Sequence, residues 1–142
     1  MNRDEILESR ITEAYRETVR RSRSSEILMK RLRTVRRLLQ QYPPPPEMDT
    51  QLLVLTEECE PAWTGVLHSP FVVGRNKSCD LILQDGKTSA KHFELVDDGE
   101  DWTIRDVGST NGVLVNGLKC SRKILSSGDV IQAGRCSFVF LG

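Results

Sequence analysis

Residues 71–117 read FVVGRNKSCDLILQDGKTSAKHFELVDDGEDWTIRDVGSTNGVLVNG. Short apolar segments in this stretch alternate with Gly, Asn, Asp and Ser, a pattern typical of short β-strands joined by tight turns. Several polar residues fall at or beside the expected strand ends, where loops carry binding residues on a rigid sheet. Four groups stand out at those positions: Gly74-Arg75, Ser89 to His92, Thr110-Asn111-Gly112 and Asn116-Gly117.

The side chains in these groups are of the kind that holds a phosphate group without reacting with it. Arg75 offers a planar, permanently charged fork of N–H donors. Ser89 and Thr110 add hydroxyl groups, and Asn111 adds an amide that can bond to the backbone of a ligand. The pattern therefore indicates a binding site for a phosphorylated ligand.

The β pattern continues on both sides of this stretch. No segment between residues 51 and 142 has the apolar periodicity of a long helix. The acidic run at residues 97–101 and the pair Asn116-Gly117 both have the chemistry of hairpin turns. Many short strands with turn residues at close intervals predict an all-β sandwich of about eleven strands. Strands are expected near residues 52–55, 63–67, 71–73, 81–83, 93–96, 102–105, 113–115, 130–131 and 137–140.

The order of the four groups resembles that of the forkhead-associated (FHA) domain, a β-sandwich that reads phosphothreonine. The family pattern is Gly-Arg, Ser-x-x-His, a Thr-Asn-Gly loop and a later Asn-Gly turn, and all four elements occur here in that order. The resemblance covers residues 51–142. It implies that Arg75 and Ser89 contact the phosphate. It also implies that Thr110 assists them and that Asn111 bonds the peptide main chain beside the phosphate.

The resemblance extends to the neighbours of this contact set. Lys87 matches the position that reads the third residue after the phosphothreonine, which favours an acidic residue there. Ala90 stands where many family members carry Arg or Asn, and Lys91 is expected to compensate for that missing donor. His92 is expected to brace the loops, not to act as a base or a metal ligand. The expected turn residues of the motif are Gly74, Gly112, Asn116 and Gly117.

Composition narrows the classes of function. The sequence shows no nucleophile–base pair, no P-loop and no cluster of metal ligands, so neither an enzyme nor a metal or other cofactor is expected. The four cysteines lack CxxC spacing and are expected as reduced, packed thiols. No apolar run approaches the ~20 residues of a membrane span, and the N-terminus lacks the apolar region of a signal peptide. A cytoplasmic protein is therefore expected.

Residues 1–42 differ from the rest of the chain in charge and in periodicity. Residues 1–41 hold eleven Lys and Arg against six Asp and Glu, a net charge of +5, and the remainder carries −5. Residues 3–41 contain no Gly or Pro, and their apolar residues recur every three or four positions, as in an amphipathic helix. The polar run at residues 20–25 leaves open one long helix or two, the second with Ser25 as its N-cap.

The apolar stripe of this helical extension needs a cover, because isolated helices are marginally stable in water. It is expected to dock on its own sandwich, to pair with a second copy through residues 3–41, or to bind a partner. The basic run at residues 20–37 is interpreted as a solvated face, and nucleic-acid binding is not expected. The prolines of residues 43–50 predict a linker between the extension and the FHA-like domain.

Together these observations predict a non-enzymatic, phosphothreonine-peptide-binding adaptor downstream of a Ser/Thr kinase. Its ligand is expected in another protein, or in its own N-terminal segment, which contains Thr12, Thr18, Thr34 and Thr50. The alternative is an FHA-type scaffold that acts through its N-terminal helix, independent of phosphate. The joint presence of Arg75, Ser89 and Asn111 argues against that alternative.

Overall fold

The computed structural model of the chain describes residues 2–23, 25–42, 44, 46, 49–56 and 61–142. Two helices are followed by eleven strands within these residues. The helices are α1 (Arg3–Arg20) and α2 (Ser25–Gln41). The strands are β1 (Gln51–Leu55), β2 (Pro61–Trp63), β3 (Phe71–Gly74), β4 (Leu81–Ile82), β5 (Phe93–Asp97), β6 (Trp102–Asp106), β7 (Val113–Val115), β8 (Leu118–Cys120), β9 (Arg122–Ile124), β10 (Val130–Ala133) and β11 (Cys136–Leu141).

The N-terminal extension forms two helices, which decides between the two possibilities left open by its sequence. The side chain of Asn2 caps α1 by accepting a hydrogen bond from the amide of Glu5 at 2.8 Å. α2 already includes Ser25, so this serine is not the N-cap that the sequence suggested. The polar run between the helices offers no apolar side chain for burial, so a continuous helix would gain no packing there.

The strands form two sheets that pack face to face. One sheet has the strand order β2-β1-β11-β10-β7-β8, and the other has the order β4-β3-β5-β6-β9. The pair β3–β4 is parallel, and the other described pairs are antiparallel. The expected all-β sandwich with an N-terminal α-helical extension is confirmed.

Apolar side chains from both sheets fill the space between them. Phe93 of one sheet and Phe138 of the other meet edge to face, with ring centroids 5.4 Å apart. Around this pair lie Leu52, Val54, Phe71, Val73, Leu95, Ile104, Val113, Val115, Ile131 and Phe140. This core holds the strand ends in place and so fixes the loops that follow them.

A second core lies on the outer face of the six-stranded sheet, beneath the two helices. Successive side chains of a strand point to opposite faces, so β1 sends Leu53 and Leu55 outward while its other leucine and valine point inward. Tyr15 of α1 is fully buried here, and its hydroxyl lies 3.4 Å from Oγ of Ser137. The other buried members are Leu7, Ile11, Ala14, Leu28, Leu32, Val35, Val130, Val139 and Leu141. The apolar stripe of the helices is therefore docked on the chain's own sandwich.

The structure corrects one strand position and adds two strands. β2 is Pro61–Trp63, whereas the sequence suggested residues 63–67. Its proline opens an edge strand, a place where the missing N–H is tolerated. β8 and β9 were not foreseen, because both are short and mostly exposed.

Several side chains of the basic run pair with acids on the helix surface. Arg20 and Arg21 both donate to the carboxylate of Glu17, and Arg36 donates to Glu8 at 3.3 Å. Such exposed ion pairs contribute little to stability, about 0.2–1 kcal/mol each. They agree with a solvated face for these residues, whereas Arg31 of the same basic run is buried.

Some sequence-based expectations fall outside the described residues. These are Cys59 and part of the proline-rich linker at residues 43–50. Cys79 and Cys120 are free thiols, and burial raises the pKa of the Cys120 thiol. Within the part of the chain that the structure describes, no helix is long and apolar enough to cross a membrane.

Candidate functional site

Three loops carry the predicted site residues, and backbone hydrogen bonds join the first two. Loop 1 (residues 75–80) follows β3, loop 2 (residues 83–92) follows β4, and loop 3 (residues 107–112) follows β6. The amide of Arg75 donates to the carbonyl oxygen of Ser89 at 3.0 Å, and the amide of Asn76 donates to that of Ala90 at 3.0 Å. Arg75 and Ser89 are thus held side by side through their main chains.

Gly74 permits the close approach of these two loops. A Cβ atom on this residue would lie only 2.3 Å from the carbonyl oxygen of Ala90. No side chain fits in that space, so the glycine is required by proximity to another backbone segment. The sequence suggested a turn glycine here, and the structure places it at the end of β3, against loop 2.

Ser89 also links loop 2 to loop 3. Its Oγ accepts a hydrogen bond from the amide of Thr110 at 3.0 Å. Because that oxygen acts as an acceptor within the protein, its own hydrogen is left to donate to a ligand. A second link comes from Asn111, whose Nδ2 donates to the carbonyl oxygen of Lys87 at 2.8 Å.

Loops 1, 2 and 3 meet at the place that we call the loop junction. His92 lies beneath this junction and is fully buried. Its Nδ1 accepts a hydrogen bond from the amide of Ser89 at 3.1 Å, so its Nε2 carries the proton and donates to the carbonyl oxygen of Gly112 at 2.7 Å. Both ring nitrogens are therefore used inside the protein. This geometry fits the brace that the sequence suggested and leaves no nitrogen for a metal or a substrate.

Asp106 orders loop 3, a role that sequence reasoning missed. Its Oδ1 accepts hydrogen bonds from the amides of Gly108 at 3.0 Å and Ser109 at 2.8 Å. Its Oδ2 accepts from the hydroxyl of Ser109, whose Oγ in turn accepts from the amide of Gly112 at 3.0 Å. The available signal was an Asp two residues before a Gly, which favours a turn bonded by its own side chain.

Asp85 orders loop 2 in a similar way and was also missed. Its Oδ1 accepts a hydrogen bond from the amide of Lys87 at 2.9 Å, and its Oδ2 accepts one from the amide of Arg135 at 2.6 Å. Burial alone would raise the pKa of this carboxyl group. The two amides, the hydroxyl of Thr88 and the charge of Arg135 outweigh that effect and hold the pKa below its ordinary value of 3.8.

Three of the predicted contact residues in loops 1 and 2 are cations whose charged groups remain available to a ligand. Arg75, Lys87 and Lys91 are exposed, and no described residue forms an ion pair or a hydrogen bond with their charged groups. Arg75 and Lys87 belong to the linked loop junction. No described contact ties the amine of Lys91 to the other predicted residues, and the neighbouring Ala90 is exposed without a side-chain donor. The junction can receive an anion with about two negative charges, such as a phosphate monoester.

The remaining motif residues lie on the next hairpin. Asn116 has φ of 52° and Gly117 has φ of 85°, so both adopt the left-handed conformation that a two-residue hairpin turn requires. This turn joins β7 to β8 and receives a hydrogen bond from Arg21 of α1 on the carbonyl oxygen of Asn116. It is a structural turn and does not reach the loop junction.

Comparison with known proteins identifies the fold family. The family model of the FHA domain matches residues 71–134, which contain all three loops. The sandwich of this chain is an FHA domain. One solved relative is the FhaA FHA domain in complex with the intracellular domain of a second protein. That structure is 25% identical, covers 64% of this chain and 98% of its own, and gives a TM-score of 0.58.

Two further relatives show what FHA domains of this kind do elsewhere. The MEK1 FHA domain, solved with a phosphothreonine peptide of HOP1, is 27% identical, covers 66% of this chain and 95% of its own, and gives a TM-score of 0.53. The oxoglutarate dehydrogenase inhibitor of Corynebacterium jeikeium is 40% identical over 68 residues, which are 48% of this chain and 47% of the relative. The match thus spans about half the length of this curated relative. These similarities indicate that the FHA domain is a binding module and not an enzyme.

One cavity among the described residues lies away from the loop junction of the FHA domain. It has a volume of about 650 Å³ and lies between the start of α1 and the sandwich, where it is lined by Leu7, Trp102 and Phe140 among others. At the loop junction, Arg75, Lys87, Thr110 and Asn111 are all exposed. An open surface suits an extended peptide, which needs contacts along its backbone more than an enclosed pocket.

Proposed function

We propose that this FHA domain binds phosphothreonine peptides at the loop junction and acts as an adaptor downstream of a Ser/Thr kinase. The observation that carries the proposal is the position of Arg75. Its exposed guanidinium has no partner among the described residues, and its backbone is bonded to Ser89, whose hydroxyl hydrogen is available. A cation on an anchored backbone, beside a free hydroxyl donor, is the chemistry that a phosphate dianion needs.

The other predicted residues have supporting roles in this proposal. Thr110 and Asn111 hold loop 3 against loop 2, and the second N–H and the oxygen of the Asn111 amide remain for the peptide main chain. The exposed amine of Lys87 would favour an acidic side chain at the third residue after the phosphothreonine. Lys91 would add charge beside Ala90. The cytoplasmic location belongs to the same proposal, since ligand and kinase must share a compartment.

The ligand is proposed to come from another protein. Thr18 is fully buried, and its hydroxyl donates to the carbonyl oxygen of Ala14 at 2.7 Å. The hydroxyl of Thr34 donates to the carbonyl oxygen of Lys30 at 3.1 Å. Phosphorylating either residue in place would break these bonds within the helices. The C. jeikeium relative gives a precedent, by its name, for a partner that is an enzyme.

Pairing with a second copy through residues 3–41 stays a prediction. The apolar stripe that such pairing would use is covered by the chain's own sandwich. The helices would therefore have to leave the sheet before they could pair in that way. This cost favours a single chain that presents its loops to a peptide.

The first experiment is fluorescence anisotropy with an oriented peptide library that carries phosphothreonine, phosphoserine or unmodified threonine at its centre. We expect selective binding of phosphothreonine peptides. Arg75→Ala should weaken it tenfold to a hundredfold, because a hydrogen bond to a charged group contributes about 1.5–3 kcal/mol. Arg37→Ala, which removes an exposed cation of α2, is the matched control and should bind normally.

Two outcomes would contradict the proposal in different ways. Normal binding by Arg75→Ala would show that the phosphate site lies elsewhere. Absence of binding by the folded wild-type chain would favour the scaffold alternative, in which the N-terminal helices carry the interaction.

A further inference from the structure

Arg31 of α2 is a buried cation with incomplete hydrogen bonding. The residue is only 5% exposed. Its Nη2 donates to the carbonyl oxygen of Arg135, whereas its Nε is buried without a partner in the part of the chain that the structure describes. No described carboxylate forms an ion pair with it.

Packing alone does not account for an arginine at this position. Burying a guanidinium group without an acidic partner costs free energy, and a buried N–H without an acceptor adds to that cost. An apolar side chain of similar length would cover the same outer face of the sheet without either penalty. The bond from Arg31 to Arg135 is therefore the feature that needs explanation.

That bond holds the turn between β10 and β11 (residues 134–135), which we call the β10–β11 turn. This turn lies directly against loop 2. The amide of Arg135 donates to Oδ2 of Asp85 at 2.6 Å. A Cβ atom on the preceding residue, Gly134, would lie 2.6 Å from the same oxygen and 2.4 Å from Oγ1 of Thr88. The turn is thus in close contact with loop 2 at both of its residues, Gly134 and Arg135.

Asp85 also holds the part of loop 2 that is proposed to face the ligand. Its Oδ1 accepts the hydrogen bond from the amide of Lys87, and its main-chain oxygen accepts one from the amide of Thr88 at 3.0 Å. The carbonyl group of Lys87 then receives the side chain of Asn111. An unbroken series of hydrogen bonds therefore runs from α2 to the residue proposed to bond the peptide main chain.

We infer that Arg31 is a positioning residue for the phosphopeptide site, which clamps the β10–β11 turn onto Asp85 and so holds loop 2 in its binding geometry. The inference rests on the proposed function of that site. If Arg31 acts in this way, the N-terminal helices contribute to peptide recognition as well as packing on the outer face of the six-stranded sheet.

The test compares Arg31→Met with Arg33→Met in the full chain. Methionine keeps much of the apolar stem and removes the guanidinium group, and Arg33 is an exposed residue of the same helix. We expect Arg31→Met to weaken binding of the selected phosphothreonine peptide about fivefold or more, with thermal stability unchanged or higher. Arg33→Met should bind like the wild type.

Amide hydrogen exchange provides a readout that needs no ligand. The amides of Lys87 and Arg135 both donate to Asp85, and they should exchange faster in Arg31→Met than in the wild type or in Arg33→Met. Arg31→Lys, which restores one donor for the carbonyl group of Arg135, should recover most of the affinity and slow the exchange again.

The inference is overturned if Arg31→Met keeps wild-type affinity, or if its Lys87 and Arg135 amides exchange at wild-type rates. It is also overturned if Arg31→Lys is folded and behaves like Arg31→Met, because the restored donor would then have no effect. Failure of the wild type to bind any phosphothreonine peptide would remove the proposed function instead. The exchange rates would still decide whether Arg31 restrains loop 2.

Discussion

The lowered pKa of Asp85 makes loop 2 sensitive to acid. Its ionised carboxylate accepts the amides of Lys87 and Arg135, so the folded chain favours the ionised form. A carboxyl group of this kind contributes stability that is fully present above its unfolded pKa, near 3.8. That contribution is lost as the pH falls through the lower pKa of the folded state.

Asp85→Asn should therefore reduce the free energy of unfolding at pH 7, and the difference from the wild type should shrink as the pH falls below the unfolded pKa of about 3.8. The amide of asparagine carries no charge and presents a donor where the carboxylate accepts from two directions. Urea unfolding at several pH values measures the difference. Asp101→Asn, which removes an exposed carboxylate with no described hydrogen bond, is the control. A difference for Asp85→Asn that stays constant down to pH 3 would contradict the argument.

Side chains proposed to contact the phosphate were recognisable in the sequence, whereas those that hold the loops were not. Arg75 and Ser89 stand beside apolar segments, and their donor chemistry is independent of the fold. Asp85 acts through an amide fifty positions away, at Arg135. No local pattern indicates which backbone amides the packed sheets bring to a carboxylate. Asp106, by contrast, bonds within its own turn, and its position before a glycine was a usable signal.

At the scale of strands and loops, the end of β3 is the most tightly constrained point. A Cβ on Gly74 would lie 2.3 Å from the carbonyl oxygen of Ala90 and 2.9 Å from its carbonyl carbon. These are backbone atoms, so they cannot move aside as a flexible side chain can. Gly74→Ala should therefore push loop 1 away from loop 2 and separate Arg75 from Ser89.

We expect Gly74→Ala to lower the free energy of unfolding by about 1–3 kcal/mol, the usual cost of overpacking, and to weaken phosphopeptide binding. Urea denaturation and fluorescence anisotropy measure the two effects. Gly65→Ala is a matched control, because a Cβ at that residue meets nothing within 4 Å and should leave both values close to those of the wild type. Equal behaviour of the two variants would mean that the loops separate without cost.

Strands with a buried face were predictable, and the short edge strands were not. β5 alternates buried and less buried residues, and its partner β6 follows an acidic turn, so the pair is evident from periodicity. β8 and β9 have few buried side chains and owe their conformation to hydrogen bonds with β7 and β6. The turn Asn116-Gly117 was the available signal for β8, since a hairpin turn requires a second strand after it.

On the scale of the whole molecule, the two cores share the same strands. β1, β10 and β11 send some side chains between the sheets and others beneath the helices. The sequence could not decide what covers the helical stripe, because an amphipathic stripe does not specify its partner. A signal was present in Leu52-Leu53-Val54-Leu55, since a strand that is apolar at every position is buried on both faces.

Because the cores share strands, we expect the helices and the sandwich to unfold together. Ile11→Ala should lower the free energy of unfolding by about 2–4 kcal/mol, as a fully buried isoleucine leaves a cavity. Ile6→Ala removes an isoleucine of the same helix that is 42% exposed, and it should cost less than about 1 kcal/mol.

Trp63 packs on the helix-side core and Trp102 on the core between the sheets, so tryptophan fluorescence reports on both. Circular dichroism and fluorescence should give one coincident transition in urea. An early helical transition that leaves the sandwich folded would show instead that the extension is an independent unit, and Ile11→Ala would then shift only that first step.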